Sequence, residues 1–213
     1  MNQTVKGMIF DLDGTLIASY EAIYLGFEYA YEKMGVPPLS IEEVKRVVGS
    51  GLTHTFRDLL GEERVSEALR LFREKYEEVF REHTYLLPDA REVLQALHGK
   101  GVKLGIATNK LGRFSREIFR HFRMDHFFTV ILGDEDVPEN KPHPGIIYRA
   151  LQGMALKKEE VFFIGDSPID IQTGHNAGVA ILAIPTGVTK REDLEKAGPT
   201  MILDRLTDLL KYV

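Results

Sequence analysis

Met8-Ile9-Phe10-Asp11-Leu12-Asp13-Gly14-Thr15-Leu16 is the stretch from which the rest of the chain can be read. The run from Val5 to Phe10 is apolar apart from Lys6 and Gly7, and it reads as a short buried strand. It stops at two carboxylates separated by one residue, followed by Gly14 and Thr15. Side chains at i and i+2 of a strand point the same way. A chain still near-extended there would turn Asp11 and Asp13 toward one point, with Gly14 allowing a sharp turn afterwards. Two acids converging at the end of a buried strand repel each other, and a cation offsets that repulsion. Hard oxygen ligands suit Mg²⁺, which takes one or two carboxylates and keeps its other positions for water and substrate phosphate. Asp, Gly and Thr are also common turn residues. The stretch alone therefore leaves both a plain solvated turn and metal or catalytic chemistry open.

Beyond Leu16 the pattern changes from strand to helix. Residues 18–34 carry Ile23, Phe27, Ala30, Tyr31 and Met34 at helical spacing, ending at Gly35-Val36-Pro37-Pro38. Tyr20, Tyr24, Phe27 and Tyr31 form an aromatic stripe there, read as packing. Ser40 and Glu43 read as a capping box for a helix through Val48. Gly49-Ser50-Gly51 breaks it, and Leu52 to Leu60 reads as another helix. Residues 62–83 place Val65, Leu69, Phe72, Tyr76, Val79 and Phe80 on one stripe. No strand is expected between 18 and 85, so this is an all-helical insertion.

From Leu86 onward, short apolar strands (102–107, 129–132, 161–164, 179–184 and 201–203) alternate with helices over 88–99, 113–122, 144–153 and 168–176, and one capped by Thr189 with Glu192. That texture predicts an α/β fold: a parallel Rossmann-like sheet flanked by helices. The expected division is a core of residues 1–16 with 86–213, and a helical domain of 17–85.

The chain has 213 residues, 44% hydrophobic and 28% charged, with a net charge of −5. This is an ordinary globular composition, too acidic for a broad nucleic-acid footprint. No apolar stretch approaches a membrane span, and Met1-Asn2-Gln3-Thr4 starts no signal peptide. The absence of cysteine excludes disulfides, thiolate metal sites and cysteine nucleophiles. The cytoplasm is the expected compartment.

Ligands of an open parallel sheet sit beyond the carboxyl ends of its strands. Thr108 and Asn109 follow the second core strand and can hydrogen-bond a phosphate oxygen without adding charge; an ordinary polar loop is the alternative. In Asn140-Lys141-Pro142-His143-Pro144 two prolines stiffen the segment and fix where Lys141 leaves the backbone. A positioned ammonium there would offset clustered carboxylates and attract a phosphoryl group; His143 reads as structural or helix-capping. Gly165-Asp166-Ser167-Pro168-Ile169-Asp170 follows another strand. Asp166 reads as a metal ligand. Asp170 reads as a water-mediated ligand, a group behind the ligands, or a first-turn helix acid. His54, His83, His98, His121, His126 and His175 show no metal-ligand spacing.

Asp11-Leu12-Asp13-Gly14-Thr15-Leu16 resembles the first motif of the haloacid dehalogenase superfamily of phosphohydrolases. Thr108 resembles its second motif, Lys141-Pro142 its third, and Gly165-Asp166 with Asp170 its fourth. The 17–85 segment is similar to that family's small helical cap. The resemblance implies a Mg²⁺-dependent phosphatase acting through an aspartyl-phosphate on Asp11, with Asp13 as acid and then base. It implies Mg²⁺ on Asp11, Asp166 and the main-chain carbonyl of Asp13, with Thr108, Asn109 and Lys141 holding phosphoryl oxygens. Asp13 argues against a dehalogenase. A sugar phosphate mutase of the β-phosphoglucomutase type and a non-catalytic binding protein retaining the fold are the rivals. The general run of the sequence resembles phosphoglycolate phosphatases, which implies a small phosphorylated metabolite as partner, neither nucleic acid nor membrane, and a monomer or homodimer. Ser50 and Arg57 are the candidate cap residues for substrate selection.

Overall fold

The structure is a computed structural model that describes residues 5–213; the first four residues, and the expectation about a signal peptide that falls on them, lie outside the described residues. Strand β1 (Gly7–Phe10) leads through a turn to the two-residue strand β2 (Ile17–Ala18). Four helices follow, α1 (Tyr20–Lys33), α2 (Ile41–Val47), α3 (Leu52–Leu60) and α4 (Val65–Val79). The chain returns through β3 (Tyr85–Leu86) and then alternates: α5 (Ala90–Gly99), β4 (Lys103–Ala107), α6 (Gly112–His121), β5 (Phe128–Leu132), α7 (Gly145–Met154), β6 (Val161–Gly165), α8 (Pro168–Ala177), β7 (Ala180–Ala183), α9 (Arg191–Ala197) and β8 (Met201–Ile202). By its contacts the chain divides into two compact units. One contains Leu86–Val213 and the amino-terminal segment through Ala18, and the other is Ser19–Tyr85.

Six strands of the larger unit form one sheet in the order β5-β4-β1-β6-β7-β8, every pairing parallel. Met8, Ile9 and Phe10 are all fully buried, as a central strand covered on both faces requires. On one face Ile9, Phe163 and Ile181 pack against Ile146, Ile147, Ala150 and Met154 of α7 and Ile171 of α8. Burying each such side chain contributes roughly 1.5–3 kcal/mol. The register aligns the strand ends: Phe10 is level with Ile106 of β4 and Ile164 of β6. The residues just beyond these three strands therefore emerge along one edge of the sheet.

The helical unit is organised by aromatic side chains. Phe27 of α1 lies 4.8 Å from Phe56 and 5.4 Å from Phe72, and Phe72, Tyr76 and Phe80 continue as stacked rings. Ser40 and Glu43 form the expected capping box at α2.

Some expectations are corrected. Short strands occur at Ile17–Ala18 and Tyr85–Leu86, at the margins of a stretch read as wholly helical; two residues are too few to carry a period. The buried face of α4 is Val65, Ala68, Leu71, Phe72 and Tyr76, with Leu69 and Val79 at its flanks. In the aromatic stripe of α1, Phe27 and Tyr31 are buried while Tyr20 and Tyr24 are half-buried. Thr189 does not cap α9: Lys190 holds the position before the first helical residue, and no side chain caps there. Among the described residues no helix is long and apolar enough to cross a membrane.

Candidate active site

Asp11 still belongs to the ladder of β1, its N–H donating to the Ile164 carbonyl at 2.8 Å. Beyond it the chain coils. The N–H groups of Thr15, Leu16 and Ile17 all point to the Leu12 carbonyl, and Gly14 N–H donates to Ile17 O. Gly14 sits at φ +86°, where an L side chain is strained. Its missing Cβ also makes room for Asp166, because a Cβ there would lie 2.3 Å from Asp166 Oδ2. Asp13 forms a parallel β-bridge with Ile17 ahead of the turn over residues 14–16. Its carboxylate pairs with Lys110, at 2.9 and 3.1 Å.

Asp170 joins Asp11 and Asp166 in its place. Among the described residues these three offer carboxylate oxygens within 4.8 Å of one another, all buried. Asp170 is fixed from both sides. Ser167 donates its hydroxyl to Asp170 Oδ2 at 2.6 Å and accepts the Asp170 N–H at 3.3 Å, capping α8, which opens at Pro168. Lys141 Nζ meets Asp170 Oδ1 at 2.6 Å and Asp11 Oδ1 at 2.8 Å. Lys141 is itself held by its backbone. Its N–H donates to Asn109 Oδ1 at 2.9 Å, and its carbonyl accepts from Asn109 Nδ2 at 3.2 Å. The Asn109 side chain, expected to face a phosphate, is thus engaged with the Lys141 main chain. Thr108 follows β4, buried, its hydroxyl accepting the Lys110 N–H at 3.2 Å. His143 precedes Pro144, which holds the position before α7, and its Nδ1 accepts from the Gly145 N–H at 3.2 Å.

Three carboxylates around one ammonium leave an excess of negative charge out of water. Burial foremost, then the charge of Asp170, pushes Asp11 up to about 6 against the pull of Lys141. Burial likewise raises Asp166 well above the ordinary carboxylate range, helped by Asp170 and Asp11, while the Thr15 hydroxyl at 2.7 Å opposes it. Burial alone would lower Lys141, but Asp11 and Asp170 outweigh it and hold the ammonium above its usual value. Asp11 Oδ1 meets Lys141 Nζ at 2.8 Å and, as a carboxylate oxygen with two lone pairs, keeps another to offer. An all-oxygen, over-acidic, buried donor set of this kind fits a small divalent cation.

A family model described as haloacid dehalogenase-like hydrolase matches residues 8–184, spanning all of these positions. The chain belongs to the haloacid dehalogenase-like hydrolases. A phosphoglycolate phosphatase from Vibrio parahaemolyticus is 29% identical over 221 residues, covering 99% of this chain and 97% of that protein. A Caldanaerobacter subterraneus protein described as a candidate pyrophosphatase, PpaX, is 30% identical, covering 98% and 94%. The structure of a haloacid dehalogenase-like hydrolase from Streptococcus pneumoniae superposes with a TM-score of 0.88 at 29% identity, covering 98% of each chain.

Two features of this haloacid dehalogenase-like hydrolase went unread in its sequence. Lys110 adjoins the motif at Thr108, yet nothing in its spacing announces a bond to Asp13. The loop after β7 is the other. Thr186 donates its hydroxyl to the Gly14 carbonyl at 2.6 Å, and a Cβ on Gly187 would lie 1.8 Å from Asp166 Oδ2. The strand-end rule would have found this loop had it been applied to Pro185-Thr186-Gly187. Within the helical unit, Arg57 pairs with Glu62 on the surface, and Ser50 is half-buried between two glycines of positive φ.

Proposed function

We propose that this hydrolase is a Mg²⁺-dependent phosphatase of small phosphate monoesters, with phosphoglycolate the first substrate to test. The observation that carries the reading is the cluster of Asp11, Asp166 and Asp170 around Lys141 at the strand ends, inside the family match. Asp11 attacks phosphorus, forming a carboxylate–phosphorus bond as the ester oxygen departs. Asp13 gives that oxygen a proton, then takes one from the water that attacks the acyl phosphate, releasing inorganic phosphate and restoring Asp11. Lys141 and Thr108 hold the phosphoryl oxygens through the transition state, and Asn109 acts on Lys141 by pinning its main chain. Mg²⁺, when bound, would be held by Asp11 and Asp166, with Asp170 beside them and, by the family resemblance, the Asp13 carbonyl, and would offset repulsion between the attacking carboxylate and the phosphate dianion. Selection of the alcohol portion is assigned to the helical unit, with Ser50 and Arg57 the residues to vary.

Pyrophosphate is the second substrate to try, since a relative of equal similarity is described as a candidate pyrophosphatase. A panel of phosphoglycolate, pyrophosphate, a hexose phosphate and an aryl phosphate, each with Mg²⁺ and with EDTA, tests the reading. The expected product is inorganic phosphate, formed only with the metal. An isomeric sugar phosphate would make the protein a mutase. Full turnover in thoroughly chelated protein would overturn the metal assignment.

A further inference from the structure

Asp13 and the metal-binding Asp11 are chemically identical groups two residues apart, and the proposed mechanism needs them to do different things. Asp11 must stay at the cation. Asp13 must keep its lone pairs for a proton. A carboxylate beside a divalent cation is drawn into its coordination shell, since cation and oxygen both lose water at such a site. Something has to oppose that pull, and the opposing group is in the structure.

Lys110 Nζ lies 3.1 Å from Asp13 Oδ1 and 2.9 Å from Oδ2, so both oxygens are engaged at once. The pair is largely shielded from solvent, the side chains being 8% and 11% exposed. Bonds between charged groups in such surroundings are stronger than a surface ion pair. The lysine backbone is anchored too. Its N–H donates to the Thr108 hydroxyl at 3.2 Å, and its carbonyl accepts the Asp134 N–H at 3.1 Å. The cluster of carboxylates that could hold a metal comprises Asp11, Asp166 and Asp170, and Asp13 stands outside it.

We propose that Lys110 is a positioning residue that holds the Asp13 carboxylate apart from the metal-binding acids and so reserves it for proton transfer. This rests on the phosphatase reading above. An ammonium suits the task better than a guanidinium fork: it is a compact charge that can follow the carboxylate through a small rotation without a fixed two-point geometry.

Lys110→Met keeps the length of the side chain and removes its charge. In that variant kcat should fall about a hundredfold on every substrate, the scale expected when a proton-transfer group is displaced. KM should stay nearly constant. With an aryl phosphate, whose leaving group needs little protonation, the phosphorylated fraction caught by rapid quench should rise, because water loses its base in the second step. Mg²⁺ titrated calorimetrically into substrate-free protein should bind more tightly, as the released Asp13 reaches the cation. Lys110→Arg should recover part of kcat. A rise in KM at constant kcat would overturn the proposal in favour of a substrate contact. Unchanged kcat, phosphoenzyme level and Mg²⁺ affinity would overturn it in favour of an idle ion pair. Should Lys110→Met fail to fold, Lys110→Gln carries the same readings. Failure of the underlying phosphatase reading is seen separately, as wild-type protein that forms no phosphoenzyme at all.

Discussion

At the ends of β1 and β6 four charged side chains, Asp11, Lys141, Asp166 and Asp170, are at most 6% exposed, whereas Ser19–Tyr85 buries rings and leaves its charges in solvent. In the helical unit the ion pairs Lys45–Glu42, Arg70–Glu74 and Lys75–Glu78 all lie on the outside, where such pairs contribute little. Its interior is Phe27, Phe56, Phe72, Tyr76 and Phe80. Burying charge costs free energy that packing does not return locally. The rest of the sheet must therefore carry the strain of the site, while nothing comparable is asked of the helical unit. Substitutions should accordingly separate, with the core acids moving activity and the rings moving stability.

The largest expected effect comes from Asp11→Asn. Turnover should drop on the order of 10⁵-fold, because the nucleophile itself is gone, and intact mass measurement should find no phosphorylated protein. Its melting temperature in chelator should hold or rise, since a buried charge has been removed. Substantial residual activity would break the comparison at its strongest point. Phe72→Ala is the counterpart in the helical unit. Truncating a fully buried ring should cost about 3–5 kcal/mol, read by denaturant unfolding, with protection from hydrogen exchange lost first in α1 and α4. Turnover of an aryl phosphate by the folded fraction should change far less than in Asp11→Asn. An equal loss in both would show that the two kinds of interior are not separable.

The same contrast governs what could be read from the chain alone. The sheet was legible because its strands are apolar on both faces and each ends in a polar motif, so Asp11, Thr108, Lys141 and Asp166 could be found by rule. The cap at Ser40 was legible because capping is local chemistry. The bond from Lys110 to Asp13, 97 residues away, was not, because nothing local to Lys110 signals it, and the loop at Gly187 was missed because the strand-end rule was not carried past β7. At Asp13 the chain forms a β-bridge with Ile17 before it turns, so the motif itself is local, and only the ion pair with Lys110 lay beyond a reading of spacing. On α4 Ala68 and Leu71 are buried while Leu69 and Val79 are half-buried, so the inward face is turned from the stripe of large apolar residues.

Acidity offers a smaller test. Asp11 is raised to about 6 from its ordinary value of 3.8 in the metal-free site. A carboxylate with a raised folded-state pKa binds a proton more readily folded than unfolded. Its stabilising contribution is complete below its ordinary pKa and is lost as the pH rises through about 6. Chelated protein should thus gain up to about 3 kcal/mol between pH 7 and pH 4 from this group. Carboxylates held low by hydrogen bonds, such as Glu43 and Asp208, act the other way at lower pH. Subtracting the pH profile of Asp11→Asn isolates the buried contribution. If the difference between the two profiles is flat from pH 4 to 7, the cluster is not strained by its own charge.

The finest test sets two glycines against each other, one in each unit. Gly187 has no backbone requirement for glycine, but a Cβ there would lie 1.8 Å from Asp166 Oδ2. Gly35, beyond α1, is the reverse: its φ is +63° and a Cβ would meet nothing within 4 Å. Gly35→Ala should therefore cost only backbone strain, about 1 kcal/mol, with Mg²⁺ affinity untouched. Gly187→Ala must displace either the Asp166 carboxylate, held by the Thr15 hydroxyl, or its own loop, held by the bond from Thr186 to Gly14. Both groups belong to the turn that carries Asp11, so either displacement disturbs the donor set. Mg²⁺ binding measured by calorimetry should weaken about tenfold, the usual scale for a group that orients a ligand, while melting in chelator barely moves. Unchanged affinity would mean that the loop swings aside without disturbing Asp166 or the turn, and that neither Gly187 nor the bond from Thr186 to Gly14 fixes the donor set.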